Sequence, residues 1–182
     1  MNDDPTRSLL GDAMLKQRRV MVSGRLDMTA VSGATAQLMF LDGNAADPPD
    51  PVNLVINSPG GPVDDALPLL DVLRLLRAPL TVDVLGRAEG SAGLVVAAAP
   101  GTRRLGATAA ISLRLEREPV LPGTAEALRR LADAQSQRDA SIADAVAERT
   151  GQSPEWVLQQ FDRGGAVRGA EAVELGLVDE IR

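Results

Sequence analysis

A strand that runs straight into Pro-Gly-Gly and then into a helix leaves a chain few ways to fold, and this sequence holds such a unit between Asn53 and Leu76. Asn53–Asn57 is rich in Leu, Val and Ile and reads as a buried strand. Ser58–Pro62 is a glycine turn, and Asp64–Leu76 places Leu67, Leu70, Leu73 and Leu76 on one side of a helix. The alternation continues on both sides. Arg19–Gly24 and Leu80–Leu85 read as strands, and Asp27–Leu41 carries Val31, Ala34, Leu38 and Met39 at helical spacing. Ser91–Ala99 is small and apolar throughout, as a fully buried helix would be. Arg104–Ala107 and Ala110–Leu113 read as short strands. Thr124–Thr150, Pro154–Phe161 and Ala170–Leu175 read as helices, and Leu177–Ile181 as a final strand. This order predicts an α/β fold with a mostly parallel sheet. No repeat or linker divides the chain, which predicts a single domain over residues 1–182, with an arm or short helix over residues 1–17.

Aromatic residues make up only 2% of the 182 residues, so the core must be built from Ala, Val, Leu and Ile. The formal net charge is -6, which argues against nucleic acid or an anionic membrane as a partner. There is no cysteine, hence no disulfide and no thiolate metal site. No metal or cofactor is expected. The first nineteen residues lack the apolar run of a secretory signal, and the longest apolar stretch, 94–100, is far too short to span a bilayer. A cytoplasmic protein is expected.

The turn at Ser58–Pro62 exposes backbone N–H groups at a helix start, where a carboxylate, a phosphate or a developing oxyanion is held well. A plain strand-to-helix connection explains the same residues. Gly86–Gly93 (GRAEGSAG) poses the same choice between a tight connection and a nucleophile elbow. Chemistry weighs against a nucleophile. A serine hydroxyl needs a base to take its proton; the chain contains no histidine, and its one lysine, Lys16, is near the N-terminus.

Three segments together, Val55–Gly61 (VINSPGG), Gly86–Gly93 and Glu171–Ile181 (EAVELGLVDEI), resemble the proteolytic subunit of the Clp protease. The similarity runs from about Leu15 to Ile181. It implies a crotonase-like α/β fold, heptameric rings that pair through a projecting handle, and ATP-driven AAA+ unfoldases docked outside. Some lineages mix active subunits with inactive homologues. The resemblance places the nucleophile on Gly90, the histidine on Leu115 and the aspartate on Gly164, so all three triad members are replaced. The two oxyanion-hole amides fall on Gly61 and Ser91. This chain resembles an inactive homologue, assembling alone or with an active paralogue. Two other readings remain: a peptidase using Ser91 by an unusual route, with Glu89, Glu116 or Asp162 as the nearest carboxylates, and a crotonase-type acyl-CoA enzyme using Glu89 or Glu116. Asp162 reads as a surface residue.

The handle falls on residues 116–150. Its strand, Glu116–Gly123, carries Pro119 and Pro122, which remove ladder donors. Its helix bears a stripe of Leu128, Leu131, Ile142 and Val146; amphipathicity alone allows it to pack on its own domain, and the resemblance favours burial against a second ring. The family's aromatic docking positions for the unfoldase are here Asn53, Val55 and Leu75.

Overall fold

The computed structural model describes residues 5–116 and 122–182. Its elements run α1 (Pro5–Lys16), β1 (Arg19–Ser23), α2 (Met28–Gly43), β2 (Val52–Ser58), α3 (Val63–Leu75), β3 (Leu80–Ala88) and α4 (Ser91–Ala98). Then come β4 (Thr102–Leu105), β5 (Ala110–Ile111), α5 (Ala125–Thr150), α6 (Pro154–Arg163), β6 (Val167–Arg168), α7 (Gly169–Glu174) and β7 (Glu180–Ile181). The expected α/β class with a mostly parallel sheet is what the chain adopts. The main sheet has the order β1-β2-β3-β4-β7, with every pair parallel. The far end of β3 continues parallel to β5, which pairs antiparallel with β6.

Short apolar strands with helical crossovers produce this order, and the helices supply the core. In α2 the buried side chains are Val31, Ala34, Leu38 and Leu41, while Met39 points outward at 62% exposure. The three–four spacing continues from Leu38 to Leu41, so Met39 falls off the buried stripe. In α3 the buried face is Val63, Ala66, Leu69, Leu70 and Leu73; Leu67 and Leu76 are only half-buried at its edge. Every residue of α4 is buried, as its small apolar composition demands. That helix is the centre of the molecule, packed between α3 and α5.

The end of the chain is clamped rather than extended. Leu177 and Val178 enter the core, and β7 is only Glu180–Ile181, shorter than the expected strand. Asp179 accepts hydrogen bonds from the Arg103 amide (2.7 Å), Nε (3.1 Å) and NH2 (2.6 Å), while Arg103 NH1 donates to the Ala97 carbonyl at 2.8 Å. One buried arginine thereby joins β4, α4 and the C-terminal segment.

Helix α5 is a different object along its length. At about 1.5 Å per residue it spans about 39 Å. Residues 122–134 are all exposed, whereas Asp139, Ile142, Ala143 and Val146 are buried. The expected single stripe therefore divides: Leu128 and Leu131 are exposed at 37% and 43%, and Ile142 and Val146 belong to the domain's own core. Pro119 lies outside the described residues; Pro122 and Gly123 form exposed coil ahead of the helix. No helix among the described residues is long and apolar enough to cross a membrane.

Candidate functional site

The carboxyl ends of β2 and β3 meet two backbone turns that hold each other in place. Gly60, at φ +87°, packs so closely that a Cβ there would come within 2.5 Å of the Glu89 carbonyl and 3.2 Å of the Ser91 amide. The turn is held locally by Ser58, whose Oγ accepts from the Gly60 amide at 3.0 Å. The Ser58 carbonyl ties in the other turn, accepting from the Glu89 amide at 3.0 Å.

Gly90 occupies the N-cap of α4 with φ 55° and ψ −125°. This is the sharp strand-to-helix geometry that a nucleophile elbow requires, a conformation costly for a residue with a side chain. Glycine holds it without a Cβ penalty. The backbone of an elbow is present, and no reactive atom projects from it. A Cβ at this position would lie 3.2 Å from the Arg114 carbonyl.

Gly90 borders a cavity of about 310 Å³ whose lining also includes Gly61, Ser112, Arg114, Glu116 and Gly164. Of the three positions that the resemblance assigns to the triad, Gly90 and Gly164 are thus brought together. Leu115 is not. It is 5% exposed and packed in the core, with its amide donating to the Phe161 carbonyl at 2.9 Å. The cavity wall after β5 is supplied instead by Ser112, Arg114 and Glu116, alternating with Leu113 and Leu115 on the core side. That alternation is written in the string Ser112–Glu116 (SLRLE) and follows from the period of an extended chain. Ser112 and Arg114 are wall residues that sequence reasoning missed.

Ser91 is adjacent to the elbow but turned inward. It is 1% exposed; its Oγ accepts from the Gly61 amide at 3.0 Å and donates to the Gly61 carbonyl at 3.0 Å. The hydroxyl serves as a tie between the two turns. The two amides expected to form an oxyanion hole are close together, but the Gly61 N–H is already directed at Ser91 Oγ. The Ser91 N–H opens α4, a position with no partner inside the helix.

The carboxylates near the cavity are surface groups with cationic partners. Glu89 pairs with Arg87 at 3.5 Å, and Glu116 pairs with Arg25 at 3.4 Å. Asp162 is exposed on α6, as expected. Among the described residues no cluster of carboxylates or other donors is arranged to hold a metal ion.

Comparison with known proteins agrees with this anatomy. Residues 5–182 match the model of the family described as Clp protease. The chain is 29% identical over 180 residues to the ATP-dependent Clp protease proteolytic subunit 1 of Chlamydia muridarum, covering 96% of this chain and 91% of that one. It is 28% identical over 172 residues to the ATP-dependent Clp protease proteolytic subunit 3 of Streptomyces coelicolor, covering 94% of this chain and 78% of that one. The chain belongs to the Clp protease family, as a homologue of its proteolytic subunits.

Proposed function

We propose that this protein is a non-catalytic subunit of a Clp-type assembly, a ring component that has kept the peptidase body and lost the peptidase centre. The observation that carries the reading is Gly90: an elbow backbone at φ 55° with no side chain to attack a substrate. The rest of the cavity is consistent with it. No histidine exists anywhere in the chain to serve as base. Ser91, the nearest hydroxyl, is buried and engaged twice by Gly61. A serine lacking a base contributes little as a nucleophile.

The cavity also differs from an intact centre in ways that simple repair would not reverse. A serine at Gly90 would take on the strain of the elbow and a 3.2 Å approach to the Arg114 carbonyl. A histidine at Leu115 would enter the core. At Gly164 a Cβ would stand 2.5 Å from the Gln160 carbonyl. Restoring all three residues at Gly90, Leu115 and Gly164 therefore does not rebuild a triad.

The role that remains is assembly. The subunit would close a heptameric ring, alone or with an active paralogue, and so shape a degradation chamber without cutting. An AAA+ unfoldase would engage this ring directly or through the paralogue. The exposed half of α5 supports the reading, since apolar residues on a projecting helix call for a covering surface.

The test is labelling of the pure protein with a fluorophosphonate, alongside hydrolysis of small peptides and unfolded casein. The expected result is neither labelling nor hydrolysis. Hydrolysis that disappears in Ser91→Ala would overturn the proposal and favour Ser91 as a nucleophile.

A further inference from the structure

The chain leaving β5 is extended, and its alternation sets Ser112, Arg114 and Glu116 on the Gly90 cavity. Among the described residues the charged side chains of the lining are Glu89, Arg114 and Glu116. The two carboxylates are matched by arginines that do not line it, Glu89 by Arg87 and Glu116 by Arg25. Arg114 is exposed, and among the described residues its guanidinium has neither an ion pair nor a hydrogen-bond acceptor. The cavity therefore keeps one unmatched positive charge in a chain whose net charge is -6.

Ser112 adds a neutral donor. It is 7% exposed, and its Oγ accepts from the Arg114 amide at 3.2 Å, which leaves the hydroxyl hydrogen for an acceptor in the cavity. Gly90 begins α4 on the same wall, so the positive end of that helix dipole adds to the field. All three features favour an anion. The place of Arg114 depends on the lost side chain: a Cβ at Gly90 would stand 3.2 Å from the Arg114 carbonyl.

The rest of the lining narrows the occupant. Gly61, Gly90, Gly164, Gly165 and Ala166 present backbone with almost no side chain, which lets a second backbone approach. The volume of about 310 Å³ is at the lower end of small-molecule pockets, which enclose roughly 300–1,000 Å³. Such a space takes the end of a peptide rather than a nucleotide or an acyl-CoA. An interior peptide bond is neutral and gives an unmatched guanidinium nothing to pair with. A chain end offers a carboxylate, whose two oxygens fit the guanidinium fork.

We propose that the Gly90 cavity is a receptor for the free carboxyl end of a short peptide. The terminal carboxylate pairs with the Arg114 guanidinium and accepts from Ser112 Oγ, and the residues before it lie along Gly164, Gly165 and Ala166. Hydrolysis of a peptide bond by water yields one new carboxylate and one amine. The ligand is thus a product of that reaction and not its substrate. The inference rests on the reading of this protein as a non-catalytic Clp-type subunit, since an active neighbour generates such ends and this subunit holds them.

The experiment is calorimetric titration of the full-length protein with N-acetyl-tetraalanine, its carboxyl-terminal amide, and acetate as separate probes, the peptides being recovered afterwards for mass measurement. The free acid is expected to bind, and the amide to bind at least about tenfold more weakly, because a charge-assisted pair is lost. Arg114→Gln, at an exposed position, should weaken the free acid to the level of the amide. Ser112→Ala should weaken it less. Arg130→Gln, on the exposed part of α5, should bind as the parent does. Equal binding of acid and amide, or binding of the acid indifferent to Arg114→Gln, would overturn the proposal, as would no binding of the acid at all. Acetate binding as tightly as the peptide would also overturn it, leaving a small-anion site. The recovered peptides separate this outcome from the reading beneath it: intact peptide leaves the non-catalytic subunit standing even where the receptor fails, and cleaved peptide overturns both.

Discussion

The two halves of α5 share one helix, one composition and nearly one hydrophobic spacing, yet they do opposite things. The second half, from Asp139 onward, is built into the domain: Ile142, Ala143 and Val146 pack against α4 and α6. The first half is open on its surface among the described residues. Residues 125–134 are all exposed, and the ion pair Arg130–Glu126 lies open on its surface. Periodicity reports that a helix has an apolar side; it does not say what covers that side. In one half the cover is the same chain. In the other it is absent from the monomer, and a partner subunit is the proposed source.

The largest effect should come from the buried half. Val146 is fully buried, and Val146→Asp would place an unpaired charge beside α4. A loss of about 4 kcal/mol or more in urea unfolding is expected. Ile142→Asp should behave similarly, because Ile142 is a core residue and not part of an outer contact surface.

Ion pairs sharpen the same contrast. Arg103 is buried and Asp179 half-exposed, so Asp179→Asn should cost about 2 kcal/mol. Glu126→Gln, removing the exposed pair on the first half of α5, should change stability by no more than about 0.5 kcal/mol. Acid titration of unfolding extends the test. Burial by itself would raise the Asp179 carboxyl, but hydrogen bonds from the Arg103 guanidinium and amide, with the charges of Arg103 and Arg149, hold it below its usual range. Asp42 is lowered in the same way: burial opposes, and the amides of Ala78 and Arg77 with the Arg77 side chain prevail. A carboxyl lowered on folding contributes stability that is present above its unfolded value of about 4 and is lost as pH falls through the folded value. Stability should therefore drop on acidification through and below pH about 4, and the drop should be shallower in Asp179→Asn.

Gly90→Ser comes next in size. The strained backbone predicts a loss of about 1–2 kcal/mol with no gain of peptidase activity. Turnover from that single change would reveal a base that the cavity does not show. The smallest effect on the monomer should be that of Leu131→Asp, within about 0.5 kcal/mol in unfolding. Its effect on assembly should be much greater, since Leu131 is exposed in the monomer and available to a partner.

Much of this was legible in the sequence. The strand, glycine turn and helix around Ser58–Pro62 are local features, and the α/β order followed from them. The uniformly small and apolar α4 announced its own burial. The glycine at the elbow was visible by resemblance to an active family. What stayed hidden depended on contacts across the chain. Leu115 was placed at the histidine position by counting residues from Gly90, but the alternation Ser112–Glu116 turns it into the core and brings Arg114 to the cavity instead. Nothing in the string GRAEGSAG says which way Ser91 turns; its two bonds to Gly61 face it inward. Leu177 and Val178 were read as strand because they are apolar, yet the Arg103–Asp179 clamp makes them core coil.

The proposal of a non-catalytic ring subunit is tested most directly by the native mass of the pure protein, measured with and without an active paralogue and repeated with Leu131→Asp. The expected result is a heptameric ring or a pair of such rings, formed alone or on mixing, with ring pairing weakened by Leu131→Asp while the monomer stays folded. A compact monomer whose mass is unchanged by the active paralogue would contradict it.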